Sequence, residues 1–183
     1  MCSTPYSSRW DLLSQPIIMK IDQDVCERLF DSLEKITITL NTSKMGRARV
    51  FGTHRAMSLG IVKNRITKKY VTSRLTHKYP EIFEMLTDIS TKYFPEYGFN
   101  SIHVNKNVVC PPHLDINNIG PSIIFSIGNY EGCNLMITQN GITTEINTRE
   151  HAVLFEGNKH IHYNTPLLSG TKYSFVFFKT QPE

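Results

Sequence analysis

The sequence predicts an α+β chain whose core is a closed antiparallel sandwich of the jelly-roll type, with N-terminal helices packed against it. Two segments before residue 99 have the apolar spacing of amphipathic helices. Six short segments after residue 100 are rich in β-branched and aromatic residues. These six segments follow one another closely, and such spacing is typical of a sandwich or barrel rather than of a parallel sheet with crossover helices.

The predicted helices lie in the first half of the chain. The segment "DQDVCERLFDSLEKI" opens with Asp22 at a cap position and continues with apolar residues at helical spacing. The segment "PEIFEMLTDISTKYF" places Pro80 in the first turn and has a second apolar stripe. We interpret both stripes as surfaces that face the core. Residues 1–99 are therefore expected to form a helical and basic part that precedes the strand core.

The predicted strands occupy residues 100–180. They are "SIHVNKNVV", "PSIIFSIG", "NLMITQ", "ITTEIN", "HAVLFEG" and "KYSFVFFKT". Asn140-Gly141 separates the third from the fourth, and this dipeptide predicts a two-residue β-hairpin turn. The strands thus predict the jelly-roll core of a single domain that spans residues 1–183.

The composition is that of a soluble globular protein. Of the 183 residues, 40% are hydrophobic and 20% are charged, which is enough apolar material for a core and too much for a disordered chain. No apolar run approaches the length of a membrane span, and the first residues lack the pattern of a secretory signal. We expect a protein that is not secreted and has no membrane partner. The expected location is the cytoplasm, the nucleus or the cytoplasm of an infected host cell.

Half of the 20 Lys and Arg residues lie in one segment that contains no Asp or Glu. The members of this basic segment are Lys44, Arg47, Arg49, Arg55, Lys63, Arg65, Lys68, Lys69, Arg74 and Lys78. A surface of this kind attracts phosphate groups through counterion release, so it indicates nucleic-acid binding. The alternative is a solvated basic loop that acidic surface elsewhere balances.

The segment "PPHLDINNIG" places His113 and Asp115 on either side of one Leu, between two predicted strands. Downstream, His160 and His162 are two positions apart, so they point to the same face of a strand. Two histidines and one carboxylate can hold Fe(II) on one face and leave its other positions open. Taken alone, the pair of His113 and Asp115 favours a polar turn or a surface role over a metal site.

A basic residue after the distal histidine makes the pattern specific. Lys172 stands ten positions after His162, and Ser174 follows two places later. The chain here resembles the 2-oxoglutarate- and Fe(II)-dependent dioxygenases, whose motif is H-x-D, a distant His, and then a basic residue with Ser or Thr two places on. The resemblance covers about residues 100–180. It implies a double-stranded β-helix, which is a jelly-roll with the metal at its open mouth.

The resemblance also implies the cofactors and their ligands. Fe(II), the co-substrate 2-oxoglutarate and O2 would be required. The iron ligands would be His113, Asp115 and His162. His160 is less suitable because it stands twelve positions before Lys172 rather than ten. The distal carboxylate of 2-oxoglutarate would lie against Lys172 and Ser174.

Asn105 is a further candidate for contact with 2-oxoglutarate. It shares a strand face with His103 and is expected to point into the barrel. The alternative is an edge-strand Asn whose side chain is bonded to backbone.

Around the metal motif the chain is similar to the TET and base-J-binding-protein branch, which oxidises the methyl group of pyrimidines in nucleic acid. An Asn or Asp three places after the metal Asp contacts the target base in that branch, and Asn118 occupies this place. DNA or RNA is therefore the expected partner. The candidate contacts to its backbone are Arg47, Arg49, Arg55, Lys68 and Lys69.

Two departures from that branch keep other functions open. Most members have Arg where this chain has Lys172, and many have Gly-Gly where it reads Gly132-Cys133. Lysine is a point charge rather than a two-pronged fork, so weaker binding of 2-oxoglutarate is expected. Because collagen-type prolyl hydroxylases also use Lys here, a protein hydroxylase with a peptide substrate is the alternative. A non-catalytic jelly-roll binding module is the third hypothesis.

Overall fold

The structure, a computed structural model, describes residues 15–41 and 54–180. Its helices are α1 (Gln23–Glu34), α2 (Arg74–Lys78) and α3 (Pro80–Tyr93). Helices α1 and α3 confirm the two predicted helices, whereas the short α2 was not predicted. None of the helices in this described part is long and apolar enough to cross a membrane.

The strands of the described residues form three antiparallel sheets, one large and two small. They are β1 (Ile17–Lys20), β2 (Leu40–Asn41), β3 (His54–Lys63), β4 (Tyr70–Thr72), β5 (Ser101–Lys106), β6 (Ser122–Ile127), β7 (Tyr130–Gly132), β8 (Leu135–Gln139), β9 (Ile142–Ile146), β10 (His151–Phe155), β11 (Ile161–Asn164), β12 (Leu167–Gly170) and β13 (Tyr173–Phe178). The main sheet has the order β1-β10-β6-β13-β5-β3-β2, and β4 pairs with β3. The small sheets have the orders β11-β8-β9 and β12-β7. This arrangement, with helices on the main sheet, confirms the predicted α+β class and its jelly-roll core.

All six predicted strands are present, as β5, β6, β8, β9, β10 and β13. The Asn140-Gly141 turn is also confirmed, because Gln139 pairs directly with Ile142 and both turn residues have positive φ, +50° and +77°. Positive φ at both central positions is what a tight hairpin of this type requires.

The sequence predicted a helical and basic part before residue 100, but this part also contains strands. Strand β3 runs through the basic segment and pairs with β5 from Arg55 to Gly60, which makes it part of the main sheet. Its buried Met57 and Leu59 alternate with other side chains at the period of a strand. Strand β1 likewise joins the sheet by pairing with β10. Strands from before and after residue 100 therefore form the core together.

The main sheet has two different faces. On its outer face the aromatic side chains of Phe125, Phe175 and Phe177 are buried, and the rings of Phe125 and Phe175 lie 4.6 Å apart. Helices α1 and α3 cover this face with side chains such as Leu29 and Leu86, both fully buried. Burial of each such side chain contributes about 1.5–3 kcal/mol to folding. The inner face, turned toward the small sheets, carries the alternate residues of the same strands.

Two glycines with positive φ allow a matched test of this packing. A Cβ on Gly170, where φ is +83°, would lie 1.8 Å from the carbonyl oxygen of Asn129. A Cβ on Gly141, where φ is +77°, would meet nothing within 4 Å. We expect Gly141→Ala to cost about 1–2 kcal/mol through φ strain. Gly170→Ala should cost about 1–3 kcal/mol more, because the backbone of β7 must move. Urea unfolding measures the free energy of unfolding of both variants. Equal losses of stability would contradict the close approach of Gly170 to the Asn129 carbonyl.

Candidate metal centre and active site

His113, Asp115 and His162 come together at the mouth of the jelly-roll. One ligand atom of each lies within 4.8 Å of the others. The loop between β5 and β6 brings the first two residues, and strand β11 brings the third. The backbones of His113 and His162 are bonded in both directions, each N–H donating to the other carbonyl at 3.1 Å. The N–H of Asp115 donates to the carbonyl of Gly157 at 2.9 Å, so three backbone hydrogen bonds hold the loop in place.

Backbone carbonyls orient both imidazole rings. The Nδ1 atom of His113 lies 2.7 Å from the oxygen of Pro111, and that of His162 lies 3.0 Å from the oxygen of His160. A carbonyl oxygen only accepts, so each Nδ1 carries the hydrogen and each Nε2 of the neutral ring carries the lone pair that can bind a metal. These Nε2 atoms lie 3.7 Å and 3.6 Å from the carboxylate oxygens of Asp115. Three lone-pair donors thus converge on one point, and a divalent ion such as Fe(II) fits this set.

The carboxyl group of Asp115 is suited to remain ionised. Burial raises the pKa of Asp115, but the imidazoles of His162, His113 and His103 lower it, and the resulting pKa is below the ordinary value. An ionised carboxylate is the form that binds a metal ion.

The structure brings His162, and not His160, to His113 and Asp115. His160 instead accepts the Nδ1–H of His162 at its backbone carbonyl. Contacts of this kind fix the ring of a metal-binding histidine. The side chain of His160 is half-buried and is not among the residues that line the cavity.

A cavity of about 600 Å³ leads from this cluster into the jelly-roll. Its apolar wall includes Ile124, Leu135, Phe155, Val176 and Phe178. Its polar wall includes Asn105, Asn118 and Ser174. Asn105 and Ser174 are paired across β5 and β13, which places them side by side. The Nδ2 atom of Asn118 donates to the hydroxyl of Ser122 at 3.2 Å, so this amide is held at the mouth.

His103 also lines the cavity. Its Nδ1 lies 2.9 Å from the hydroxyl of Ser58, and its ring packs on Phe178 with centroids 4.7 Å apart. Sequence reasoning had not connected Ser58 with this site. The only available signal was the strand alternation of β3, which the basic residues of that segment obscured.

Lys172 lies beyond Ser174, behind the wall of the cavity. It is 2% exposed, and its ammonium group donates to the carbonyl of Cys133. The ammonium also lies 5.2 Å from the ring centroid of Tyr130. Cys133 itself has a φ of +53°, a conformation that favours glycine. The structure therefore places Lys172 and Ser174 on one strand face, but only Ser174 lines the cavity.

The basic residues of the described part do not form one patch. Arg55, at the start of β3, donates from its guanidinium to the carbonyl of Ile38 at 2.9 Å. Lys68 and Lys69 are exposed on the turn between β3 and β4, beyond the other end of the strand. Arg47 and Arg49 lie outside the described residues.

The metal site makes a direct prediction about the two distal histidines. His162→Ala should weaken Mn(II) binding by about a hundredfold or more, because it removes a ligand rather than a supporting contact. His160→Ala should leave the affinity unchanged, because only the backbone carbonyl of His160 is used. Calorimetric titration of the two variants and the native protein measures both effects. The opposite order of affinities would make His160 the ligand.

Comparisons with known proteins bear on the fold. No protein-family model matches the sequence, and no curated protein matches it. The structure of NgTET1 in complex with 5mC DNA is similar, with a TM-score of 0.61 and 16% identity over 91% of this chain and 72% of that chain. A 2OG-Fe(II) oxygenase family oxidoreductase from Burkholderia pseudomallei has a TM-score of 0.64 and 14% identity, over 89% of this chain and 84% of its own.

A third similar structure is a prolyl hydroxylase bound to a hypoxia inducible factor peptide fragment, from Trichoplax adhaerens. Its TM-score is 0.57, with 12% identity over 92% of this chain and 86% of that chain. Identities this low show the fold alone. The chain thus shares a jelly-roll fold with these three solved structures, and this is the fold that the sequence resemblance implied.

Proposed function

We propose that the protein is an Fe(II)- and 2-oxoglutarate-dependent dioxygenase that hydroxylates a C–H bond. The observation that carries this proposal is the convergence of His113, Asp115 and His162, with both Nδ1–H groups bonded to backbone carbonyls. This donor set would supply three ligands to a metal ion and leave further positions for co-substrate and oxygen. The likeness in fold to oxygenases supports the same conclusion.

Different residues of the site would bind the metal, exclude water and contact the co-substrate. When bound, Fe(II), 2-oxoglutarate and O2 would together supply the oxidising power that an unactivated C–H bond requires. His113, Asp115 and His162 would hold the metal. The apolar wall of the cavity keeps water from the reacting groups, and Asn105 and Ser174 offer polar contacts to a bound acid.

Lys172 would bind the distal carboxylate of 2-oxoglutarate together with Ser174. An ammonium group has three hydrogens, and the contact to the Cys133 carbonyl uses one of them. The other two remain for a carboxylate that extends past Ser174 toward the inner end of β13. A charge-assisted contact is strong in such a buried place.

We further propose that the substrate is a methylated pyrimidine base in DNA or RNA. The turn between β3 and β4 carries exposed Lys63, Arg65, Lys68 and Lys69, and we call residues 61–72 the basic hairpin. No acidic residue occurs in this hairpin. A basic surface of this kind neutralises backbone phosphates.

The position of the basic hairpin suits that role. Gly60 of β3 and Phe178 of β13 both pair with Ser101 of β5, and Phe178 lines the cavity. The hairpin therefore extends past the end of the sheet at which the cavity opens. A base in a duplex must leave the stack to reach such a cavity, and Asn118 at the mouth could then contact its edge. The bound DNA in the similar NgTET1 structure supports this substrate class.

A protein hydroxylase remains the second candidate, because Lys172 occupies the place where collagen-type prolyl hydroxylases have Lys. The likeness to a peptide-bound prolyl hydroxylase supports it. In that case the basic hairpin would recognise acidic residues of the peptide.

Turnover of 2-oxoglutarate tests the enzyme class. The native protein with Fe(II) should release succinate from 2-oxoglutarate in air. His113→Ala and Asp115→Ala should lose this release almost completely, because each removes a metal ligand. His77→Ala, which changes an exposed histidine on α2, is the control and should be unaffected. Equal rates in all four proteins would exclude the proposed dioxygenase.

Salt-dependent binding tests the substrate class. A short duplex that contains 5-methylcytosine should bind with an affinity that falls steeply as salt rises. The double variant Lys68→Ala/Lys69→Ala should reduce the slope of log affinity against log salt by about two, since each lysine accounts for about one phosphate. Lys20→Ala/Lys35→Ala removes two exposed charges outside the hairpin and should reduce the slope much less.

Salt-insensitive binding would count against a nucleic-acid substrate, and so would equal effects of the two double variants. Mass analysis of methylated DNA, RNA and peptide pools after incubation with Fe(II) and 2-oxoglutarate would then identify the oxidised class.

A further inference from the structure

Two cationic side chains lie close to one aromatic ring at the inner end of the jelly-roll. The guanidinium carbon of Arg149 lies 4.4 Å from the ring centroid of Tyr130, and the ammonium of Lys172 lies 5.2 Å from it. The hydroxyl of Tyr130 lies 2.7 Å from the hydroxyl of Ser126. Ser126 pairs with Ser174 across β6 and β13, so both side chains are on the inner face. The cation cluster therefore lies directly behind the wall that Ser174 forms in the cavity.

The two cations of this cluster have no anionic partner among the described residues. Neither Arg149 nor Lys172 forms an ion pair with a carboxylate in that part of the chain. The Nε atom of Arg149 is buried there and has no hydrogen-bond partner. Burial lowers the pKa of Lys172, and the nearby Arg149 lowers it further. Arg149 is half-buried and Lys172 is buried, and a buried charge costs free energy unless an anion compensates it.

The backbone around Arg149 is fixed against β6. The N–H of Ser126 donates to the carbonyl of Thr148 at 2.9 Å, and the N–H of Glu150 donates to the carbonyl of Ser126 at 2.8 Å. The N–H of Arg149 itself donates to the side chain of Asn147 at 2.9 Å. The backbone that carries Arg149 is therefore fixed, and its guanidinium packs on the ring of Tyr130, with 4.4 Å between the guanidinium carbon and the ring centroid. This ordering lowers the entropic cost of binding a ligand there.

We propose that Arg149 acts with Lys172 as a second cation for the distal carboxylate of the dicarboxylate co-substrate. This assignment rests on the proposed function, and it adds a residue from outside the recognised motif. The planar guanidinium supplies the directed donors that an ammonium lacks. Arg149 would thereby compensate for Lys at position 172, where the resemblance alone predicts weaker binding of 2-oxoglutarate. The ring of Tyr130 holds both cations beside Ser174.

Binding of two keto acids tests the proposal. 2-Oxopentanoate has the length of 2-oxoglutarate but carries a methyl group in place of the distal carboxylate. Calorimetric titration of the Mn(II)-loaded protein with each acid reports affinity without turnover. The native protein should prefer 2-oxoglutarate. Arg149→Met, which keeps the apolar stem, should bind 2-oxoglutarate about tenfold more weakly or worse and 2-oxopentanoate unchanged.

Two further variants separate charge from structure. Arg149→Lys should recover part of the preference for 2-oxoglutarate, because it restores the positive charge. Arg28→Met removes an exposed arginine on α1 and should change neither affinity. Unchanged binding of 2-oxopentanoate by Arg149→Met shows that the metal site is intact and that the variant is folded.

The remaining outcomes overturn the proposal in distinguishable ways. If Arg149→Met retains the native affinity for both acids, or weakens both equally, Arg149 does not bind the distal carboxylate while the proposed function stands. If the native protein binds the two acids equally well, neither Arg149 nor Lys172 contacts the distal carboxylate, and the proposed role of Lys172 fails together with that of Arg149. If the native protein with Mn(II) binds neither acid, the proposed function fails together with the role of Arg149.

Discussion

The alternation of side chains along β13 is the constraint on which both the core and the site depend. Tyr173, Phe175 and Phe177 point outward to the helices and are fully buried. The residues between them point inward, so Ser174 and Val176 line the cavity. A shift of one residue in the pairing would exchange the two faces, exposing the aromatic rings to the cavity and placing the hydroxyl in the core. The large apolar burial on the outer face therefore holds the polar residues of the inner face in position.

The cluster of His113, Asp115 and His162 depends on a second, smaller set of backbone contacts. Its loop is bonded to β11 through reciprocal hydrogen bonds between His113 and His162 and to the next loop through Asp115. Both imidazoles then receive their orientation from carbonyl groups of their own segments. These backbone contacts bring the two imidazole rings to 4.2 Å between centroids and place both Nε2 atoms next to the Asp115 carboxylate.

The residues of the candidate metal site could be found in the sequence because their signals are local. The H-x-D pair, the distal histidine and the Lys-x-Ser pair each lie within one short segment, and strand alternation sets their direction. Strand β3 could not be recognised, because basic residues at its ends and in its turn masked the alternation of Met57 and Leu59. Arg149 and Tyr130 gave no signal either. They meet Lys172 only through the pairing of strands that are far apart in sequence.

The inner end of the barrel combines two features that would each be unfavourable alone. Cys133 adopts a positive φ that a side chain makes costly, and its carbonyl thereby meets the ammonium of Lys172. Arg149 adds a second positive charge beside the same ring. A protein retains such strain and charge where a ligand offsets them. A carboxylate between Lys172, Arg149 and Ser174 would satisfy the donors and neutralise the charge, so affinity for a dicarboxylate acid and stability of the free protein should oppose each other at this end of the fold.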